Sequence, residues 1–178
     1  MKIAIATVFR NANYGAVLQA YALSTVIEKL SNKNCYLIDY RRKQIINMFR
    51  FSIFDVDAKG NRKITKESII RTIKQCINPM GTVVRFENFE KFRKKYMNIS
   101  EKVYFSNKDI DLNETDILFL GSDQIWNPDI TKGFNDVYFG NIEKQDILTA
   151  SYAASLGRTV FSKQEKIEMK DKLKHVDI

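Results

Sequence analysis

The feature that most constrains this chain is a strand–helix–strand unit filling its first forty residues. "KIAIATVF" is a short, β-branched run closed by the polar turn "RNANYG", and it reads as a buried strand. Residues 16–30 read as a helix, with Ala16, Ala20, Leu23, Ile27 and Leu30 on one stripe. Val17, Leu18, Tyr21 and Val26 widen that stripe, which predicts a well-buried helix. "SNKN" ends it and "CYLIDY" is a second strand. Connections this short make the two strands parallel neighbours joined by a right-handed crossover. The fold class expected is α/β: a Rossmann-like parallel sheet with helices on both faces.

The alternation pauses over residues 43–110, read as a helical insertion within a domain spanning 1–178. Inside it "FRFSIFDVDAKGNRK" has no clear pattern. "TKESIIRTIKQCIN" is a helix, with Thr65 as N-cap, Glu67 in the first turn and Pro79 just past the end. Its apolar stripe is Ile69, Ile70, Ile73, Cys76 and Ile77. "VVRFENFEKFRKKYM" is a second helix with Phe86, Phe89, Phe92 and Tyr96 near one face, a spacing that suits packing better than base stacking. Regular order then resumes. "DILFLG" (116–121) is a continuous apolar run, as in a strand covered on both faces. "ILTASYAAS" (147–155) is a strand of small side chains. A helix opens at Ser162, whose spacing to Glu165 fits a capping box. "HVDI" reads as the start of a further strand, so the chain is expected to be one piece of a longer protein.

Composition narrows the function classes. A chain of 178 residues, 44% hydrophobic and 28% charged, suffices for one domain with a core. No apolar run reaches membrane-spanning length, and "MKIAIATVF" lacks a cleavage signal, so the cytoplasm is the expected compartment, the inner face of the membrane included. Cys35 and Cys76 with a single His make neither a zinc site nor a disulfide framework, and no metal is expected. The net charge of +8 is spread over "YRRKQ", "KGNRKITK", "KFRKKY" and a sign-alternating C-terminal helix. That distribution favours anions in general over nucleic acid.

In an open parallel sheet, ligands gather outside the carboxyl ends of the strands. Three loops leave such ends: "RNANYGA", "SDQIWNP" and "SLGR". The first sets Asn13, Tyr14 and Gly15 at a helix start, where free N–H groups suit an anion or where Gly and Asn simply ease a tight turn. Asp39 ends the second strand as a ribose-binding acid would, but no glycine fingerprint accompanies it, so a dinucleotide site is not favoured. The second loop, Gly121, Ser122, Asp123, Gln124, Trp126 and Asn127, carries more hydrogen-bonding and stacking capacity than a turn requires. That capacity can also be structural, with Trp126 anchoring the loop and Asp123 capping a turn. In the third, Ser151, Tyr152, Ser155 and Gly157 allow close approach, and Arg158 can grip a carboxylate or phosphate, or pair with a surface acid.

The stretches "NYGAVLQAYAL" (13–23), "IDYR" (38–41), "GSDQIWNP" (121–128), "YF" (138–139) and "SYAASLG" (151–157) together resemble the polysaccharide pyruvyl transferase family. The resemblance implies an enzyme that moves a pyruvyl group from phosphoenolpyruvate, as donor substrate and with no cofactor, onto hydroxyls of a glycan or lipid-linked sugar. It implies bacterial surface or exopolysaccharide biosynthesis, and two Rossmann-like domains facing across a cleft as in one large class of glycosyltransferases, the GT-B fold. This chain would be the N-terminal domain, inactive alone, with the family's catalytic His and a key Arg in the other half. For that chemistry Trp126 would stack on a sugar face and Asp123, Gln124 and Asn127 would bind its hydroxyls; Asp123 and Arg158 are the catalytic candidates within this chain, and His175 reads as structural. A nucleotide-sugar glycosyltransferase half and a non-enzymatic anion- or partner-binding module are the competing classes.

Overall fold

The computed structural model describes residues 1–41, 53–56, 61–142 and 147–178. Parts of the "YRRKQ" run and of the 49–63 excursion therefore lie outside the described residues. Five strands form one all-parallel sheet: β1 (Ile3–Ala6), β2 (Cys35–Tyr40), β5 (Ile99–Tyr104), β6 (Ile117–Asp123) and β7 (Leu148–Ala154). Their order is β5-β2-β1-β6-β7. β3 (Asp55–Val56) and β4 (Arg62–Lys63) make a separate antiparallel pair. Among the described residues the α-helices are α1 (Tyr14–Ser31), α2 (Lys66–Ile77), α3 (Pro79–Tyr96), α4 (Pro128–Thr131) and α5 (Lys163–Lys172).

The order follows from the sequence in two runs. From β1 the chain crosses through α1 to β2 and onward to β5. It then returns to the other side of β1 to lay down β6 and β7. The span read as a helical insertion contains α2 and α3 but also β5, which pairs with β2 in the main sheet. "ISEKVY" had no apolar alternation to reveal it, being an edge strand with Glu101 and Lys102 exposed.

Strand alternation sorts the core into two layers. Ile3 and Ile5 of β1, with Cys35 and Leu37 of β2, meet Val17, Ala20, Leu23 and Ile27 of α1 and Phe89 of α3 on one face. Ala4, Ala6, Ile38, Leu118 and Leu120 point to the other face. Among the described residues no long helix closes that second face. Residues 104–142 cover it, through Tyr104, Ile110, Leu112, Ile125, Val137 and Tyr138, with only short helical turns.

α1 begins where Asn13 Oδ1 accepts the Ala16 N–H at 3.2 Å and ends where Asn32 takes a left-handed conformation. Its burial is narrower than the apolar pattern predicts: Leu18, Val26 and Leu30 are exposed. Val26 and Leu30 instead line an open apolar groove of about 640 Å³ with Ile117, Phe119 and Tyr152. This is also why β6 is fully covered only on its Leu118/Leu120 side. α2 departs further, since Ile69, Ile70, Ile73, Cys76 and Ile77 are all exposed. Past α5, Asp177 N donates to Thr149 O at 2.8 Å and Ser151 N to Ile178 O at 2.7 Å, so the terminal segment runs beside β7.

Candidate functional site

β1 and β6 are the neighbours from which the chain departs in opposite directions, so the crevice of this sheet opens between their carboxyl ends. Thr7 Oγ1 bridges that point, donating to Ser122 O at 3.1 Å. The loops after β1, β6 and β7 all leave from this rim.

The loop after β6 is held in an unusual backbone. Gly121 has φ +123, and a Cβ there would stand 2.1 Å from Tyr152 O of β7. Asp123 has φ +97 and Ala153, in the adjacent strand, φ +50. Non-glycine residues at positive φ cost of the order of 1–3 kcal/mol each and gather at functional sites. Asp123 Oδ1 accepts the Gln124 N–H at 2.7 Å, and its carbonyl accepts from Ser155 N at 3.0 Å, joining the β6 and β7 loops. The cap accounts for one carboxylate oxygen; among the described residues Oδ2 carries no hydrogen bond.

Several residues singled out in sequence serve to brace this loop. Trp126 Nε1 donates to Tyr138 O at 2.7 Å, and its ring stacks on Phe139 at 5.4 Å. Asn127 is buried; its Oδ1 caps α4 through the Asp129 N–H, and its Nδ2 donates to Gln124 Oε1 at 2.9 Å. Gly157, at φ +66, lets the third loop lie against Gln124, because a Cβ would meet that side chain at 2.1 Å. Arg158 is paired with Glu165 and lies 3.5 Å from Asp129, with Phe161 beneath its guanidinium. The surface-acid alternative thus describes its geometry. Ser122 is buried and Ser151 half-buried, whereas Tyr152, Ser155 and Gly157 are exposed at the rim.

The loop after β1 is fixed from below by α3. The Arg93 side chain, 2% exposed, donates from Nη1 to Phe9 O and Asn11 O at 3.1 and 3.2 Å and from Nη2 to Glu90. Arg85 Nη2 donates to Ala12 O at 2.5 Å and lies over Tyr14. Tyr14 is exposed and meets Phe89 ring to ring at 4.7 Å. Asn13 uses its side chain as the cap, leaving the Tyr14 and Gly15 N–H groups without intrahelical acceptors. Gly15 has no left-handed φ, but a Cβ there would stand 3.3 Å from Asn13 Oδ1, the atom that caps α1.

Sequence reading missed the strongest electrostatic feature of the rim. Arg10, after β1, and Arg41, after β2, both grip Asp39, Arg10 through Nε at 2.7 Å and Arg41 through Nε and Nη2 at 2.9 and 2.7 Å. The second Arg10 contact runs from Nη2 to Oδ2, and Glu90 stands 3.5 Å from its Nη1. Burial pushes the Asp39 carboxyl up, but the hydrogen bonds and charges of Arg41 and Arg10 hold it below its ordinary value. The "IDYR" string carried half of this cluster; only the fold brings Arg10 to it. His175 is exposed in the turn after α5. Cys35 and Cys76 are both free.

Taken together, the five parallel strands and their order define a Rossmann-like α/β domain with its topological switch point between β1 and β6. The family model for polysaccharide pyruvyl transferase matches residues 13–178, and the chain belongs to that family. Neither the search of curated proteins nor the search of solved structures returned a match. The family implies a sugar acceptor and a pyruvyl donor. Among the described residues no helix is long and apolar enough to cross a membrane.

Proposed function

We propose that the donor is phosphoenolpyruvate and that the β1/β6/β7 rim forms one wall of the cleft where its pyruvyl group joins a sugar. A second Rossmann-like domain, in a GT-B-like arrangement, would supply the facing wall. In the net reaction the methylene carbon of the donor gains a proton and becomes a methyl group. Two sugar hydroxyls bond to the adjacent carbon, whose bond to the ester oxygen breaks, and inorganic phosphate leaves with that oxygen. One hydroxyl proton replaces the proton given to carbon and the other leaves with phosphate.

The observation that carries this reading is the convergence on one rim of Asp123, at positive φ and with one carboxylate oxygen unbonded among the described residues, exposed Ser155 and Tyr152, and the exposed Asn13–Gly15 helix start. Asp123 and Gln124 are the groups proposed to bind acceptor hydroxyls. Gly121, Ser122, Ser151 and Gly157 shape the wall, and Trp126, Asn127 and Arg158 hold its loops in place. The N–H groups of Tyr14 and Gly15, two exposed residues at the positive end of α1, suit a carboxylate or phosphate.

The test is incubation of the full-length protein, facing domain included, with phosphoenolpyruvate and a panel of glycans and lipid-linked sugars. Phosphate release matched by an acid-labile ketal on the sugar is expected. Phosphate release without a ketal, or neither product across the panel, would overturn the proposal.

A further inference from the structure

α2 is built inside out relative to an ordinary surface helix. Its one buried residue is Ser68, whose Oγ donates to Ile53 O at 2.7 Å. Arg71 Nη1 donates to Asp55 Oδ1 at 2.8 Å, and Thr65, the N-cap, donates to Asp55 Oδ2 at 2.7 Å. The polar side therefore faces the protein. On the opposite side Ile69, Ile70, Ile73 and Ile77 are 44–76% exposed. One residue later α3 begins with Met80, Val83 and Val84, also exposed.

The charge around this stripe is one-sided. Residues 61–78 hold five basic side chains and one acid, and Arg62, Lys63, Lys66 and Lys74 are exposed. Lys74 lies beside Ile70 and Ile77 on the helix surface. A second copy would set this patch against itself across a two-fold axis and bring the basic residues together. An anionic bilayer instead satisfies both features, taking the apolar stripe among its acyl chains and the lysines at its headgroups.

We infer that the α2–α3 hairpin is a docking surface for an anionic lipid membrane. The hairpin adjoins the rim: Ala12 of the β1 loop, Ile70 and Lys74 of α2, and Arg85 of α3 line one groove of about 570 Å³. Docking would hold the cleft next to a membrane-carried substrate. The inference does not depend on the transfer reaction, and its test uses no substrate.

Cys76 is exposed on the stripe and Cys35 is buried, so a polarity-sensitive thiol dye on the native protein reports from the stripe. The labelled chain is mixed with phosphatidylcholine vesicles, with and without phosphatidylglycerol, and partitioning is followed by emission and co-sedimentation. A blue shift confined to phosphatidylglycerol vesicles and weakened by salt is expected. Lys74→Gln should weaken partitioning about fivefold, and Ile69→Asp with Ile73→Asp at least about tenfold. The milder Ile73→Ser serves if the double variant does not fold. Equal binding to neutral vesicles, or binding unchanged by the isoleucine substitutions, would overturn the inference. So would a blue shift that tracks protein concentration without lipid, which marks self-association.

Discussion

Replacing Asp39 by Asn tests the arginine cluster at the rim. Asp39 is 3% exposed and is shared between Arg10 and Arg41, themselves 17% and 36% exposed. Asparagine keeps the shape and one acceptor but removes the charge, leaving two guanidiniums against each other. Removing one partner of a fully buried ion pair costs about 3–5 kcal/mol. Here the arginines can partly turn to water, and Glu90 stands near Arg10, so about 3 kcal/mol is the expected loss. In a chain of this size that lowers the melting temperature by roughly 6–12 °C.

The pH dependence makes the prediction specific. The carboxyl is held below its ordinary value, so the stability it contributes is present above the unfolded pKa of about 3.9. That stability is lost as pH falls through the lower folded value, where aspartic acid and asparagine are both neutral. Urea melts of wild type and Asp39→Asn at pH 7, 5, 4 and 3 should show a gap that is constant from pH 7 to 5 and narrows by pH 3. A gap under about 1 kcal/mol at pH 7 would refute the reasoning, since an exposed ion pair is worth no more. So would a gap that persists unchanged in acid.

Other substitutions separate bracing from chemistry. Gly121→Ala sets a Cβ against Tyr152 O, a backbone atom that cannot step aside, and should cost at least about 3 kcal/mol in denaturant melts. Trp126→Phe keeps the ring on Phe139 but strips Tyr138 O of its donor; a loss of about 1–2 kcal/mol is expected from the same measurement. Burial, with a smaller contribution from Glu28, pushes the Cys35 thiol up to about 12. A thiol reagent at pH 8 should therefore titrate Cys76 alone in the native protein and both cysteines after unfolding.

Patterns that depend on neighbours in sequence were legible before the fold was. The β1–α1–β2 unit, the Thr65 and Ser162 caps and the three loaded loops all come from local spacing and hydrogen-bonding capacity. What depends on distant neighbours was not. β5 earns its place by pairing with β2 rather than by its own hydrophobicity, and Arg10 meets Asp39 only because β1 and β2 lie side by side. α2 shows the converse: its stripe was correctly seen as apolar, but a helical period cannot say which face turns inward, and here the polar face does. Trp126 and Arg158 drew attention through their chemistry, yet the fold commits both to contacts within the loops.

The central claim, that the rim at the β1/β6 switch point is where transfer occurs, is tested most directly by the rate of ketal formation in rim and off-rim variants of the full-length protein, facing domain included. Gln124→Ala should lower kcat/KM at least about tenfold, roughly the loss of one hydrogen bond of about 1.4 kcal/mol to the acceptor. Glu114→Ala, whose carboxylate meets Lys2 at the opposite end of the sheet, should leave kcat/KM unchanged. Equal rates for wild type and a folded Gln124→Ala, or equal losses in both variants, would contradict the account.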